Sequence, residues 1–296
     1  MTASRLALEY EPRLVEGAVL LAVAGRAAER RFRAERDRFY RVADGAEREM
    51  GFDTFHAAWF ARLALDRPFC EALEEQPAIV ARCARWLVAR ARGRSDEAAD
   101  LLVPHGARPT LLVRVTCETV AAPEALRLLL RRELLHVADM LDPRFAYAPG
   151  VPADVAGGPR ERLVRENYRV LWNVSVDGRL ARRGLVPASV RAERLREFTR
   201  AFASLGEAAA AAFAPFFDEN DRTHADLMAF AARGPGAAPL PRCRLCELPG
   251  LTLSVDSALP AHTRAAIARD FPAWRPADGV CARCAELYAS RATASA

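Results

Sequence analysis

Four cysteines near the C-terminal end constrain this chain more than any other feature. They form two close pairs, Cys243-Arg244-Leu245-Cys246 and Cys281-Ala282-Arg283-Cys284, separated by 34 residues. A CxxC turn directs two thiolates at one point, and two such turns complete the tetrahedral shell that Zn2+ prefers. The long spacing is absorbed if PAHTRAAIARDF (260 to 271) is a helix. Disulfides and a thioredoxin-like redox centre are the other uses of such pairs. No secretory signal supports the first, and the second needs one pair beside a βαβ unit rather than two. With all four positions filled by protein, the metal is expected to staple the fold rather than to catalyse. A unit of about fifty residues has too little core to stand alone, so metal binding supplies its folding energy.

The second pair runs directly into CAELYASR, which continues as a helix. That arrangement resembles zinc ribbons and treble-clef knuckles, whose second pair often begins a helix. The resemblance implies a module that binds nucleic acid or protein, or that buttresses its neighbour. His262 is not needed as a ligand and reads as a surface residue. The stretch RGPGAAPLPR (233 to 242) reads as a linker, with residues 234 to 242 separating the four-cysteine domain, 243 to 290, from what precedes it.

The remaining cysteines, Cys70, Cys83 and Cys117, lie singly in apolar surroundings and are expected as small buried hydrophobes. The apolar run AVLLAVAG (18 to 25) is too short to span a bilayer. Glu9, Glu11 and Glu16 precede it, where a signal peptide would be positive. The expectation is a cytoplasmic protein with no membrane association. A net charge of +5 would raise nucleic acid as a partner, but every basic residue is Arg and the arginines alternate with acids, as in RAAERRFRAERDRFYRVADGAERE (26 to 49). Mixed-sign runs of this kind are solvated helix faces, so charge points only weakly to nucleic acid. An unidentified protein or peptide is the other partner class.

Residues 1 to 107 read as a helical region, with helices over FHAAWFARLALDRPF (55 to 69) and QPAIVARCARWLVARAR (76 to 92). Period-two alternation predicts a strand over TLLVRVTCETV (110 to 120). Pro123 then opens a helix to Leu141, which Pro143 ends. A loop rich in Pro and Gly (143 to 160) precedes a long helix, 160 to 184, stopped by Gly184. Further helices fit 190 to 205, 207 to 217 and 223 to 232. The fold class expected is α+β, predominantly helical, with residues 108 to 233 forming the second region.

Helix 123 to 141 carries Arg132-Glu133-Leu134-Leu135-His136 on its apolar stripe. Glu133 and His136, three residues apart, share a face, and a buried Glu needs a partner. A satisfied core pair is one reading. A carboxylate-bridged dimetal site would need a second ExxH, which the chain lacks. The third reading is a resemblance to zinc peptidases of the zincin class, in which H-E-x-x-H supplies two ligands and a general base. The order of strand, short turn and helix resembles theirs, where an edge strand precedes the motif helix. Asn173 and Asp177 on the next long helix resemble the third-ligand helix of gluzincins, which carries an acidic ligand and, four residues on, an Asp supporting a histidine.

The resemblance covers residues 108 to 182 and implies a degenerate site. Arg132 replaces the first histidine and Asn173 the acidic ligand, leaving His136 as the one intact ligand and Glu133 as a vestigial general base. In such a vacated site the Arg132 guanidinium is expected to satisfy both Glu133 and Asp177 in place of the metal. Counting from Arg132, Asp142 falls where metzincins place a third ligand, but Asp139 stands where that family needs Gly.

No phosphate loop or nucleophile elbow is present. His56 reads as a half-buried helix residue; His105 and His224 read as element-boundary residues. The expected function is therefore a zinc-binding, metallopeptidase-like protein without catalytic metal that acts by binding or scaffolding. A working hydrolase recruiting Asp139 or Asp177 beside His136, and a binding module centred on the four cysteines, are the alternatives.

Overall fold

In a computed structural model of the chain, residues 8–103, 106–152, 155–158, 160–233, 243–246 and 259–293 are described. The expected linker, 234 to 242, lies outside them, as does His105. The elements begin with β1 (Leu8–Tyr10), α1 (Pro12–Val23), α2 (Glu29–Arg36), α3 (Gly45–Arg62), α4 (Arg67–Glu74) and α5 (Pro77–Arg82). Three strands follow, β2 (Arg85–Arg90), β3 (Ala98–Leu102) and β4 (Thr110–Val115), then the short α6 (Cys117–Val120) and α7 (Pro123–Leu141). After α8 (Glu161–Arg182) come α9 (Val190–Ala201), α10 (Ala209–Asp218), α11 (His224–Arg233), α12 (Ala261–Asp270) and α13 (Ala282–Thr293). The chain is thus α+β and predominantly helical. Among the described residues no helix is long and apolar enough to cross a membrane.

The strands form one sheet in the order β1-β2-β4-β3. β2 lies between β1 and β4, parallel to both, while β3 closes the edge antiparallel to β4. A strand flanked on both sides is selected by its neighbours, and this explains a departure from the sequence pattern. RWLVAR (85 to 90) belongs to an apolar run with helical spacing, yet only α5 is helical there and the rest is β2. Similarly, the strand expected over 110 to 120 stops at Val115, because Thr116 caps α6 by accepting from the Thr119 N–H. The helix expected over 55 to 69 is divided between α3 and α4. Residues before 107 therefore contribute three strands to the sheet that β4 completes, so they are not an all-helical region. The strand that leads to α7 is internal, and the edge strands are β1 and β3.

Helix ends follow local chemistry. Pro12 and Pro123 occupy first-turn positions, where their missing N–H costs nothing. Asp44 accepts from the Glu47 N–H at 2.8 Å and caps α3. Past the end of α8, Gly184 takes φ +68°; its N–H donates to the Ala181 carbonyl and the Leu185 N–H to the Leu180 carbonyl, a Schellman closure. The buried stripe of α7, Leu126, Leu130, Leu134 and Val137, joins Leu14, Trp59, Phe69, Ile79 and the inward residues Leu111, Val113 and Val115 of β4 in one core.

The chain divides into two units: residues up to 149 together with 166–227, and residues 150–165 together with those from 228 onward.

Candidate metal centre and the Glu-His helix

The cysteine pairs meet. The sulfurs of Cys243, Cys246, Cys281 and Cys284 all lie within 4.8 Å of one another. Zn–S bonds of about 2.3 Å in tetrahedral array place sulfurs about 3.8 Å apart, and the Cys246 and Cys281 sulfurs are separated by 3.8 Å. All four are free thiols, far from the roughly 2.05 Å of a disulfide. Cys281 directly precedes α13, and Cys284 sits in its first turn. Ile267 of α12 and Trp274, Val280 and Tyr288 enclose the cluster, with Cys243 itself fully buried. Two polar contacts tie this small core, Trp274 Nε1 to the Gly279 carbonyl (3.3 Å) and the Tyr288 hydroxyl to Asp270 (3.0 Å). His262 is exposed, as expected.

The electrostatics suit a cation. Burial works against the Cys243 thiolate, but backbone N–H groups of Cys281, Cys246 and Leu245 reach its sulfur, and together they bring its pKa down to about 7. Donation from the second and third residues after the first cysteine is what a CxxC turn provides when its thiolate is a ligand. Burial and the thiols of Cys246 and Cys281 push Cys284 upward. A divalent cation held by the four sulfurs would displace those protons and permit all four to ionise. The donor set therefore fits a metal ion that takes four thiolates.

Of the residues that the sequence grouped, the structure pairs Arg132 with Asp177 and His136 with Asn173 and turns Glu133 away from both pairs. Arg132 Nε donates to Asp177 Oδ1 at 2.7 Å, and Arg194 Nε donates to the other oxygen at 2.6 Å. The Asp177 side chain is 1% exposed, so each of its oxygens meets a guanidinium group in a dry setting. Arg194 also pairs with Glu197. Glu133 is not held by Arg132: its Oε2 accepts from the Ala99 N–H of β3 at 3.2 Å. The expected bidentate clamp over both carboxylates is thus half present, because Glu133 turns toward the sheet edge. Burial raises the Glu133 pKa, which the Ala99 N–H partly offsets.

His136 Nε2 lies 3.0 Å from Asn173 Oδ1, and its ring meets Trp172 edge-on, with centroids 4.6 Å apart. Burial pushes its pKa down to about 4, so the ring is neutral near pH 7. A neutral imidazole donating Nε2–H to Asn173 has no lone pair at that nitrogen for a metal. Asp139 is 5% exposed and is gripped by both terminal nitrogens of Arg179, at 2.7 and 2.5 Å, and by Trp172 Nε1 at 2.7 Å. Asp142 lies past the helix end and accepts from the Arg144 N–H. Among the described residues, the four cysteines are the one group of three or more ligand atoms close enough to share an ion.

Arg194, Arg179 and Trp172 carry most of these contacts, and none was singled out from sequence. Each lies 17 to 45 positions from the residue it or its pair engages, so no short motif joins them. His224, at the start of α11, hydrogen-bonds the Tyr168 hydroxyl through Nδ1 at 2.7 Å. Cys83 and Cys117 are buried and Cys70 half-buried. Compared with protein-family models, with curated proteins and with solved structures, the chain matches none.

Proposed function

We propose that this chain is a metallopeptidase-like protein that has lost its catalytic metal and acts by binding or scaffolding, with one structural zinc held by Cys243, Cys246, Cys281 and Cys284. The observation that carries the reading is the pair of contacts Arg132–Asp177 and His136–Asn173. A positive guanidinium stands beside the carboxylate that would support a ligand, and an amide oxygen occupies the imidazole nitrogen that would be one. Both substitutions remove metal affinity, and each supplies a partner that the other buried groups then need.

A working hydrolase that recruits Asp139 or Asp177 is not favoured, because arginines occupy the oxygens of both. Metal analysis of protein purified without added zinc tests the proposal. One zinc per chain is expected, lost in a Cys243→Ser/Cys284→Ser variant; a second equivalent that survives those substitutions and is removed by His136→Ala would overturn it.

A further inference from the structure

Burial sets the reactivity of the cysteines apart. Cys83 and Cys117 are buried single thiols whose pKa burial pushes upward, and thiols of that kind are inert. The four sulfurs of the small unit share one site, but they are not equivalent. Cys243 is 0% exposed and Cys284 6%, whereas Cys246 and Cys281 are each partly exposed. The sulfurs of this outer pair stand 3.8 Å apart. One comes from each CxxC turn, so the pair bridges the turns and lies within neither. A partly exposed cysteine with a second sulfur in reach is the arrangement of a redox-sensitive thiol and its resolving partner.

The inner pair is held more firmly. Backbone N–H groups of Cys281, Cys246 and Leu245 reach the Cys243 sulfur, and Cys284 sits in the first turn of α13 within the apolar core. A bond inside either turn, Cys243–Cys246 or Cys281–Cys284, would draw a buried sulfur out of these contacts. A bond between Cys246 and Cys281 spares both. It shortens their separation from 3.8 Å to the roughly 2.05 Å of a disulfide, a shift that rotation about the Cα–Cβ bonds supplies. Arg244 and Arg283 lie two positions from Cys246 and Cys281, both exposed and without a carboxylate partner among the described residues. Their charge favours the thiolate, the form that attacks an oxidant.

We propose that Cys246 and Cys281 are a peroxide-sensitive pair, whose oxidation to a disulfide between the turns expels the metal and leaves the turns covalently tied. The inference rests on the metal reading above. The thiolate of one cysteine attacks hydrogen peroxide, the O–O bond breaks, and with one proton a sulfenic acid and a water result. The other thiolate attacks that sulfur, the S–O bond breaks, and a second proton carries the oxygen off as water. Two thiolates, one peroxide and two protons thus give one disulfide and two waters. Cys243 and Cys284 take up protons as thiols, two ligands too few for a closed site. The new bond closes the long loop between 246 and 281, whereas a bond inside a turn would leave the two turns unconnected.

The peptide chain offers a direct readout. Arg244, Arg264 and Arg283 place the four cysteines on four different tryptic peptides. The full chain, its metal content measured first, is treated with hydrogen peroxide. Released metal is followed with a chromogenic chelator, the remaining thiols are alkylated, and the digest is mapped by mass spectrometry without reduction. Loss of about one metal equivalent per chain is expected, in step with a link between peptides 245–264 and 270–283. Cys243 and Cys284 should be recovered alkylated, and dithiothreitol with added zinc should reverse both changes. Links inside a turn, or four alkylated cysteines with the metal retained, would overturn the proposal. A chain purified without metal would overturn the metal reading alone, because the peptide map reads the disulfide with or without an ion.

Discussion

Asp177 sits inside the protein with a guanidinium on each oxygen, and this arrangement makes Arg132 a structural residue rather than a solvated one. Removing one partner of a buried pair leaves a charge poorly compensated, at a cost of about 3–5 kcal/mol when nothing replaces it. Arg194 remains in Arg132→Ala, so a loss of about 2 kcal/mol is expected in urea unfolding; a loss near zero would make Arg132 an ordinary surface residue. His136 predicts a pH dependence. Its folded pKa of about 4 lies below the 6.5 of an unperturbed histidine, so the unfolded chain binds the extra proton between those values. Stability from this group is complete above about pH 6.5 and falls as pH drops toward 4. Comparing urea midpoints at pH 7 and 4.5 for the parent and His136→Gln isolates the effect, and equal pH slopes would refute it. At this scale the sequence showed that Arg132 cannot be a zinc ligand and that Asn173 offers at best a weak carbonyl oxygen, since residue chemistry alone decides that. It did not show that Glu133 turns to Ala99, because that backbone N–H belongs to a strand 34 positions away.

Elements whose ends carry local signals were readable, and α7 is the clearest, running from Pro123 to Leu141 as its proline and apolar stripe predict. β2 was not readable. Arg85 to Arg90 carries a pattern compatible with a helix, and the parallel ladders to β1 and β4 overrode it. Helix pairing also depends on one residue without a side chain. Gly178 of α8 lies so close to α10 that a Cβ there would stand 2.0 Å from the Phe217 carbonyl oxygen, and Arg182 donates to that same carbonyl. The neighbour is backbone and cannot rotate away, so Gly178→Ala must push the helices apart. Overpacking of this kind costs about 1–3 kcal/mol, and a destabilisation of about 2–3 kcal/mol in chemical denaturation is expected. A neutral or stabilising result would mean that α10 yields freely.

For the whole molecule, the two units rest on different forces. The sheet unit has a large apolar core built from α1, α3, α4, α7 and β4, whereas among the described residues the core around Cys243 comprises seven buried side chains, two of them cysteines. So small a core needs a cross-link, and a metal ion held by the four sulfurs would supply it. Chelation is expected to accelerate amide exchange throughout α12 and α13 while β2, β4 and α7 stay protected. Undiminished protection in α12 and α13 after metal removal would show that the thiols and their apolar shell suffice.

The sequence by itself determined the cysteine cluster, because CxxC turns fix the ligands locally and leave only the meeting of two turns to the fold. It determined the helical α+β class and the boundaries of α7 and α12 for the same reason, as caps, prolines and periodicity act within a few residues. Tertiary structure alone decided that β2 is a strand, that Asp177 has two arginines and that His136 is occupied by Asn173. These depend on pairings between segments far apart in the chain, where burial removes water and the nearest donor, wherever it lies in sequence, becomes the partner.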